Sequence, residues 1–108
     1  MNNEKIFFQK VKDIINTCEH LLNDTEYKTP NTFVIQVILR EFKDIQDFYA
    51  CNKKVLLLSK QHWTLWSIRT IIDSADYDYD EELFDKVREF AQFCKTLSEN
   101  MVVYKYSN

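Results

Sequence analysis

The residues with the most chemical potential in this sequence lie in one acidic segment, Asp73–Asp85. Its thirteen residues include seven carboxylates and two tyrosines, with no lysine or arginine. The rest of the chain has 14 bases and ten acids, so the net charge of −3 combines −7 in the acidic segment with +4 elsewhere. A local charge of one sign steers molecules of the opposite sign towards it.

Two interpretations of the acidic segment compete. Acids at the start of a helix cap it and complement its dipole, so the segment could be only a solvated turn between helices. Carboxylates interleaved with tyrosines are also typical of a surface that binds a basic protein partner, with the tyrosines as anchors. On this leading hypothesis the partner-binding residues are Asp76, Tyr77, Asp78, Tyr79, Asp80 and Glu82.

The alternating aspartates suggest a third interpretation of the acidic segment, namely metal binding. Asp76, Asp78 and Asp80 match positions 1, 3 and 5 of a calcium-binding EF-hand loop. However, Glu81 stands where the loop requires glycine, and Val87 stands where it requires a bidentate glutamate. An EF-hand is therefore excluded, and we predict neither a metal site nor a cofactor.

Trp63 and Trp66 form a possible second binding patch, although paired tryptophans in a small domain are usually core or margin residues. At helical spacing Trp63 falls almost opposite the main apolar stripe of its segment. Lysines nearby give the basic and aromatic pattern of single-stranded nucleic-acid binders. The sequence pI near 5.3 opposes phosphate binding, so we expect no nucleic-acid partner.

Catalytic motifs are scarce in this sequence. The chain contains no glycine, which excludes glycine-rich phosphate-binding and dinucleotide-binding loops. Cys18 and His20 suggest a thiol nucleophile, but Cys18 lies on an apolar helical stripe, as does Cys94, and buried cysteines act as small hydrophobic residues. We therefore expect a protein that is not an enzyme.

The bulk composition predicts one soluble domain over residues 1–108. Hydrophobic residues make up 45% of the chain, and the longest apolar run is Val55–Leu58, far too short for a membrane span. The N-terminus lacks the pattern of a secretory signal, and three widely spaced cysteines favour reduced thiols. These features predict a cytoplasmic protein with no membrane partner.

Apolar residues repeat every three or four positions in four segments, as in amphipathic helices. With short polar connections, such helices bury their apolar faces against one another. The sequence therefore predicts an all-α fold, an antiparallel four-helix bundle with a short C-terminal tail. The expected helices span roughly 3–23, 30–51, 55–75 and 80–101.

Several boundaries depend on single residues. Thr29 and Pro30 form a typical helix start, and Asn52 could take the left-handed conformation that ends a helix. Residues 55–58 could begin the third helix or form an extended segment before it. The composition of residues 102–106 is strand-like, but no second strand is evident, so we expect a packed tail or a frayed helix end.

In size, acidity and predicted helical build, the chain is similar to small bacterial immunity proteins and phage inhibitor proteins. That resemblance implies a non-enzymatic protein that neutralises a toxin or nuclease through an acidic, tyrosine-bearing surface. It covers general style, and no sequence motif accompanies it. The alternative hypothesis is a structural or regulatory homo-oligomer, a homodimer in its simplest form, that assembles through aromatic helix faces.

Overall fold

The computed structural model describes residues 3–24, 32–57 and 81–105. Within these residues the protein is mostly helical, with three α-helices and one small sheet of two strands. The helices confirm the predicted helical class in its coarse form, but they do not confirm a four-helix bundle. The elements in chain order are α1 (Asn3–Asn23), α2 (Thr32–Asn52), β1 (Val55–Leu57), α3 (Glu81–Cys94) and β2 (Val102–Tyr104).

Helix α1 follows the predicted periodicity closely. Its bounds match the predicted range of 3–23, and its apolar stripe is buried while the intervening charged residues are mostly exposed. Residues three and four apart lie on one face of a helix, so a single stripe can enter the core along its whole length. The buried side chains of α1 are those of Phe7, Val11, Ile14, Ile15 and Cys18.

Helix α2 also buries one stripe, and its bounds differ from the prediction by two residues at the start and one at the end. The predicted start at Thr29 and Pro30 lies outside the described residues. Helix ends commonly vary by one or two residues between definitions, so the predicted helix is the observed one. Its buried stripe consists of Ile35, Ile38, Phe42, Ile45 and Tyr49.

The end of α2 corrects one residue assignment. Lys53, not Asn52, takes the left-handed conformation, with φ of 57°. The Lys53 N–H donates to the carbonyl of Tyr49 at 2.8 Å, the hydrogen bond of a left-handed helix end. Asn52 stays helical, and its side-chain Nδ2 donates to the Phe48 carbonyl at 3.1 Å. The asparagine therefore satisfies the helix end with its side chain while lysine makes the turn.

Aromatic rings from all three helices meet in the core. The Phe7 ring of α1 lies 4.7 Å from that of Tyr49 on α2 and 5.9 Å from that of Phe90 on α3, measured between centroids. Phe42 of α2 packs edge-on against Phe90 at 5.1 Å. Offset and edge-on pairs of this kind stabilise a core beyond the area they bury. Phe90 thus contacts both other helices.

The predicted third helix, 55–75, is wrong at its start, because Val55–Leu57 is a strand. Residues 58–75 lie outside the described residues, so a helix there stays a prediction. Three consecutive branched apolar residues after a left-handed turn suit a strand that is buried on one face. The observed burial fits that interpretation, since Val55 and Leu57 are buried while Leu56 is half-buried.

The predicted fourth helix, 80–101, is too long, because α3 ends at Cys94. Beyond Cys94 the backbone hydrogen bonds tighten to residues three positions apart, from Thr96 N–H to the Phe93 carbonyl at 3.0 Å and from Leu97 N–H to the Cys94 carbonyl at 3.2 Å, and the Thr96 hydroxyl also donates to the Phe93 carbonyl at 2.6 Å. After a turn, a short 3-10 helix spans Glu99–Met101, and the hydroxyl of Ser98 accepts from the Asn100 N–H at 3.3 Å. The α-helix therefore ends in a tightened turn although the apolar spacing continues in the sequence.

Strand β2 replaces the predicted C-terminal tail or frayed helix end. It pairs in parallel with β1, and the register places Val102 opposite Val55 and Tyr104 opposite Leu57. The pairing continues one residue further, since the Lys105 N–H donates to the Leu57 carbonyl at 2.7 Å. Parallel strands need a crossover connection, and α3 lies within the segment that connects these two.

Candidate protein-binding surface

The acidic segment is described only from residue 81 onwards. Asp76, Tyr77, Asp78, Tyr79 and Asp80 lie outside the described residues. Trp63 and Trp66, the predicted second patch, lie outside them too. Glu82 is the one predicted partner-binding residue within the described chain, and it lies in the first turn of α3.

Core packing fixes the direction in which the first turns of α3 present their carboxylates. Leu83 and Phe84 are buried, and Val87 continues the same face one turn later. Glu82 and Asp85 lie off this buried face. Glu82 and Asp85 accordingly have side chains that are 76% and 59% exposed. The described part of the acidic segment therefore presents its carboxylates to solvent from a helix that is held by the core.

Lys86 connects this end of α3 to α1. Its Nζ lies 3.5 Å from Glu82 Oε1 and 3.2 Å from Asp13 Oδ1, and it donates to Thr17 Oγ1 at 2.9 Å. Thr17 in turn donates its hydroxyl to the Asp13 carbonyl at 2.8 Å, which fixes the oxygen that receives the lysine. We call Asp13, Thr17, Glu82 and Lys86 the Lys86 network.

Sequence reasoning found only part of this network. A glutamate four residues before a lysine is a recognised helix pair, so the Glu82–Lys86 contact could have been predicted. The partners on α1 could not have been predicted, because Asp13 precedes Lys86 by 73 positions in the chain and Thr17 precedes it by 69.

The charge state of Lys86 follows from its surroundings. Partial burial on its own would lower the pKa of the ammonium, but the hydrogen bond and charge of Asp13, together with Glu82, outweigh burial and raise the pKa. Lys86 therefore stays protonated throughout the physiological range. The positive charge of Lys86 neutralises part of the negative charge of Glu82. The ion pair therefore positions the Glu82 carboxylate but weakens the electric field that it presents to a partner.

A groove of about 570 Å³ runs beside this network between α1 and α3. Its lining contains three lysines, two acidic residues, two side-chain amides and two isoleucines. Charges of both signs in one solvated groove compensate each other, so the groove does not favour a ligand of one charge. The lining includes Ile6, Gln9, Lys10, Asp13, Lys86 and Glu89.

Two of the three cysteines lie where their helical spacing predicts. Cys18 and Cys94 are buried, which confirms their assignment to the core, whereas Cys51 is exposed. Burial raises the pKa of the Cys94 thiol to about 12, so it is protonated and unreactive at neutral pH. His20 is exposed, and His62 lies outside the described residues.

The described residues hold neither a cluster of metal ligands nor a helix suited to a membrane. Over residues 3–24, 32–57 and 81–105, no three histidine, cysteine, aspartate or glutamate side chains come together as metal ligands could. None of the helices in those ranges has the length and apolar character needed to cross a membrane.

The geometry defines a mostly helical protein in which a short parallel sheet joins two distant parts of the chain. No protein-family model matches the sequence, and no curated protein or solved structure matches it either. The site must therefore be interpreted from its own residues.

Proposed function

We propose that this protein is a non-enzymatic interaction module that acts in the cytoplasm and binds a basic protein surface through its acidic segment. The observation that supports this proposal most strongly is the charge distribution. A net charge of −7 is concentrated in Asp73–Asp85, while the rest of the chain is net positive. The carboxylates of Glu82 and Asp85 support the proposal because both are exposed at the described end of the segment, where Glu82 pairs with Lys86 and Asp85 with Arg88 of the same helix.

The proposed interface combines two contributions. Aspartates 76, 78 and 80 with Glu82 supply charge complementarity, which acts mainly on the rate of association and on specificity. Tyr77 and Tyr79 supply rigid amphipathic contact area, which acts mainly on the lifetime of the complex. An immunity or inhibitor protein that covers a basic active site is one concrete version of this function.

The alternative function is a homo-oligomer that assembles through aromatic helix faces. The aromatic residues that dominate the described helix faces, Phe7, Phe42 and Phe90, pack against each other or against Tyr49 within one chain. They are almost fully buried there, so they are already used in the monomer core. We therefore favour binding to a basic partner over homo-oligomer assembly. Of the predicted four-helix bundle, we keep as a proposal the remaining helix, within residues 58–75.

The proposal can be tested with an arginine-rich peptide of mixed sequence as the probe. The variant Asp76→Asn/Asp78→Asn/Asp80→Asn removes three negative charges while preserving side-chain size. If each exposed pair contributes about 0.5 kcal/mol, affinity at low salt should fall about tenfold. Isothermal titration at several salt concentrations measures both the affinity and its salt dependence.

A matched control removes the same charge elsewhere. Asp44→Asn/Asp47→Asn/Glu99→Gln changes three exposed carboxylates on α2 and the 3-10 helix. We expect this variant to bind the peptide almost as tightly as the wild type. Equal losses in both triple variants would show that only net charge matters, and the acidic segment would then have no special role.

A further inference from the structure

In the described part of the chain, strand β2 is attached mainly through β1. Among the described elements, β2 has extensive contacts only with β1. Its side chains are not fully buried, since Val102 and Val103 are half-buried and Tyr104 is exposed. Strand β1, by contrast, buries Val55 and Leu57 and also packs against α2. An element held by so few buried side chains opens more readily than the core does.

Residues 95–101, which connect α3 to β2, suit two conformations. In the structure they form a tight turn and the 3-10 helix Glu99–Met101, none of whose residues is buried. In the sequence, Leu97 and Met101 continue the helical spacing of α3, three and seven positions beyond Cys94. The segment contains no glycine or proline, so it has no residue that breaks a helix.

A continuous helix through residue 101 would change the position of β2. Seven further helical residues lengthen α3 by about 10 Å, at 1.5 Å per residue. The strand would then leave β1 of its own chain, and Leu97 and Met101 would lie on an exposed extension of α3. The vacated edge of β1 would be open to another strand, and the exposed apolar side chains would be unfavourable in water.

We propose that two copies of this chain exchange β2, with residues 95–101 as the hinge. In the exchanged dimer α3 continues through residue 101 in each copy, and β2 of each copy pairs with β1 of the other. The structure indicates what covers the vacated edge, because β2 already fits β1 in a register that places Val102 opposite Val55. Exchange of an identical element is a low-cost route to a dimer, since it repeats contacts that the monomer already makes.

Two features favour a second copy over an unrelated strand. The hydrogen bond from the Lys105 N–H to the Leu57 carbonyl, 2.7 Å long within one chain, would be restored between chains together with the register. The helical extensions of the two copies would also meet about the two-fold axis, where Leu97 and Met101 of one copy can cover those of the other. An unrelated strand supplies neither this register nor the second set of apolar side chains.

The exchange competes with pairing inside one chain. A strand on a short connection has an effective concentration in the millimolar range. The wild-type protein should therefore be mainly monomeric at ~20 µM and associate on the order of 1 mM. The aromatic core stays within each copy, so this dimer differs from an oligomer assembled through aromatic helix faces. The acidic segment takes no part in it, so the inference goes beyond the proposed function.

A disulfide between two different chains tests the exchange directly. One variant carries Leu56→Cys and the other Val103→Cys, at positions that face each other in the register and lie close enough for a disulfide. Cys51→Ser in both variants removes the exposed native thiol. After the two variants are refolded together from urea at ~1 mM and oxidised, we expect a covalent dimer with one chain of each kind.

Two controls make this cross-link decisive. The double variant Leu56→Cys/Val103→Cys at ~20 µM should close its disulfide within one chain, which confirms that the geometry permits the bond. Leu56→Cys mixed with Glu89→Cys, on an exposed residue of α3, should give roughly tenfold less covalent dimer, since only chance collisions join these thiols. Equal yields in the two mixtures, or no covalent dimer in either, would overturn the proposal.

Opposite changes in the hinge test the helical extension. Thr96→Ala/Ser98→Ala/Asn100→Ala raises helix propensity and removes the hydroxyls that bond to the Phe93 carbonyl and the Asn100 N–H. Because both chains gain, association should strengthen by roughly tenfold or more. Ser98→Pro suits the present turn, where Ser98 has φ of −63°, but it breaks a continuous helix. Sedimentation equilibrium should show a monomer for Ser98→Pro even at ~1 mM.

Circular dichroism checks that each hinge variant folds, and either one alone decides the outcome. A folded alanine variant that associates no more tightly than wild type would contradict the proposal. Association of folded Ser98→Pro at the wild-type strength would contradict it as well. If neither variant folds, the cross-link between chains with the natural hinge remains the test, and its absence would show that β2 stays with its own β1.

Discussion

The two ends of α3 are held in different ways. At its start, Lys86 joins Asp13 of α1 through a partly exposed ion pair, while Glu82 faces solvent. Towards its end, Phe90 is fully buried between rings of α1 and α2, and Cys94 is buried one turn later. Apolar packing holds both ends, since Leu83 and Phe84 are buried in the first turn, and the start of the helix has the polar contacts of Lys86 in addition.

This difference separates the features that maintain the fold from those available for function. Exposed ion pairs contribute about 0–1 kcal/mol, whereas truncating a buried phenylalanine costs about 3–5 kcal/mol. Substitution of the exposed Glu82 should therefore change partner binding without unfolding the protein. The following predictions test this contrast, beginning with the largest effect.

Phe90→Ala should lower the free energy of unfolding by about 3–5 kcal/mol, because it opens a cavity where three helices meet. Urea denaturation followed by circular dichroism measures the change. Glu82→Gln, at the opposite end of the same helix, should change stability by less than about 0.5 kcal/mol. Similar losses for the two variants would remove the distinction between the ends of α3.

Cys94 should make stability depend on pH in the alkaline range. The folded protein keeps the thiol protonated up to a pKa of about 12, whereas the unfolded chain loses that proton near the ordinary value for cysteine. The unfolded state then binds fewer protons, so the free energy of unfolding falls as pH rises above about 9. The expected slope approaches about 1.4 kcal/mol per pH unit.

A comparison of two cysteine variants isolates this effect from other groups that titrate. Cys94→Ala should lose stability less steeply than the wild type between about pH 9 and 11. Cys51→Ala, which replaces an exposed thiol, should keep the wild-type slope. Denaturation midpoints at several pH values provide the comparison, and parallel slopes for wild type and Cys94→Ala would contradict the burial account.

Lys86→Met should cost about 1 kcal/mol, since it keeps the aliphatic stem and removes the charge that joins α1 to α3. A double-mutant cycle with Asp13→Asn should give a coupling energy of about 0.5 kcal/mol. Lys95→Met, on an exposed residue beyond the end of α3, is the matched control and should have little effect. A coupling energy of zero would mean that the contact between Lys86 and Asp13 does not stabilise the packing of α1 against α3.

The helices could be predicted from the sequence because their signal is local. In α1 and α2 each apolar residue follows the previous one by three or four positions, and the burial of Val11, Ile14, Ile38 and Phe42 repeats that spacing. Amphipathic periodicity determines which face is buried before any neighbour is known. These helices could therefore be predicted without knowledge of the tertiary structure, although packing stabilises them.

The parallel sheet could not be predicted because its signal is non-local. Each strand has three residues, too few to establish an alternating pattern, and the register joins Val55 to Val102 across α3. The same apolar rhythm continued past Cys94 towards Met101, so a longer helix matched the pattern equally well. The helix instead ends in a tight turn of backbone hydrogen bonds over residues 92–97, accompanied by side-chain hydrogen bonds of Thr96 and Ser98, and periodicity does not reveal either.

The candidate site also combines features that the local sequence predicts with features that only the tertiary packing reveals. The concentration of acids and the outward direction of Glu82 both follow from sequence, the first from composition and the second from the helical period. The connection through Lys86 to Asp13 depended on the packing of α1 against α3. The basic partner remains a prediction that binding experiments must test.

The rate of association with an arginine-rich peptide tests the central claim most directly. Stopped-flow measurement at low and high salt should show slower association for Asp76→Asn/Asp78→Asn/Asp80→Asn than for wild type, with the difference vanishing at high salt. The control Asp44→Asn/Asp47→Asn/Glu99→Gln should associate at nearly the wild-type rate. Identical rates and salt dependence for wild type and the acidic-segment variant would contradict the proposed docking surface.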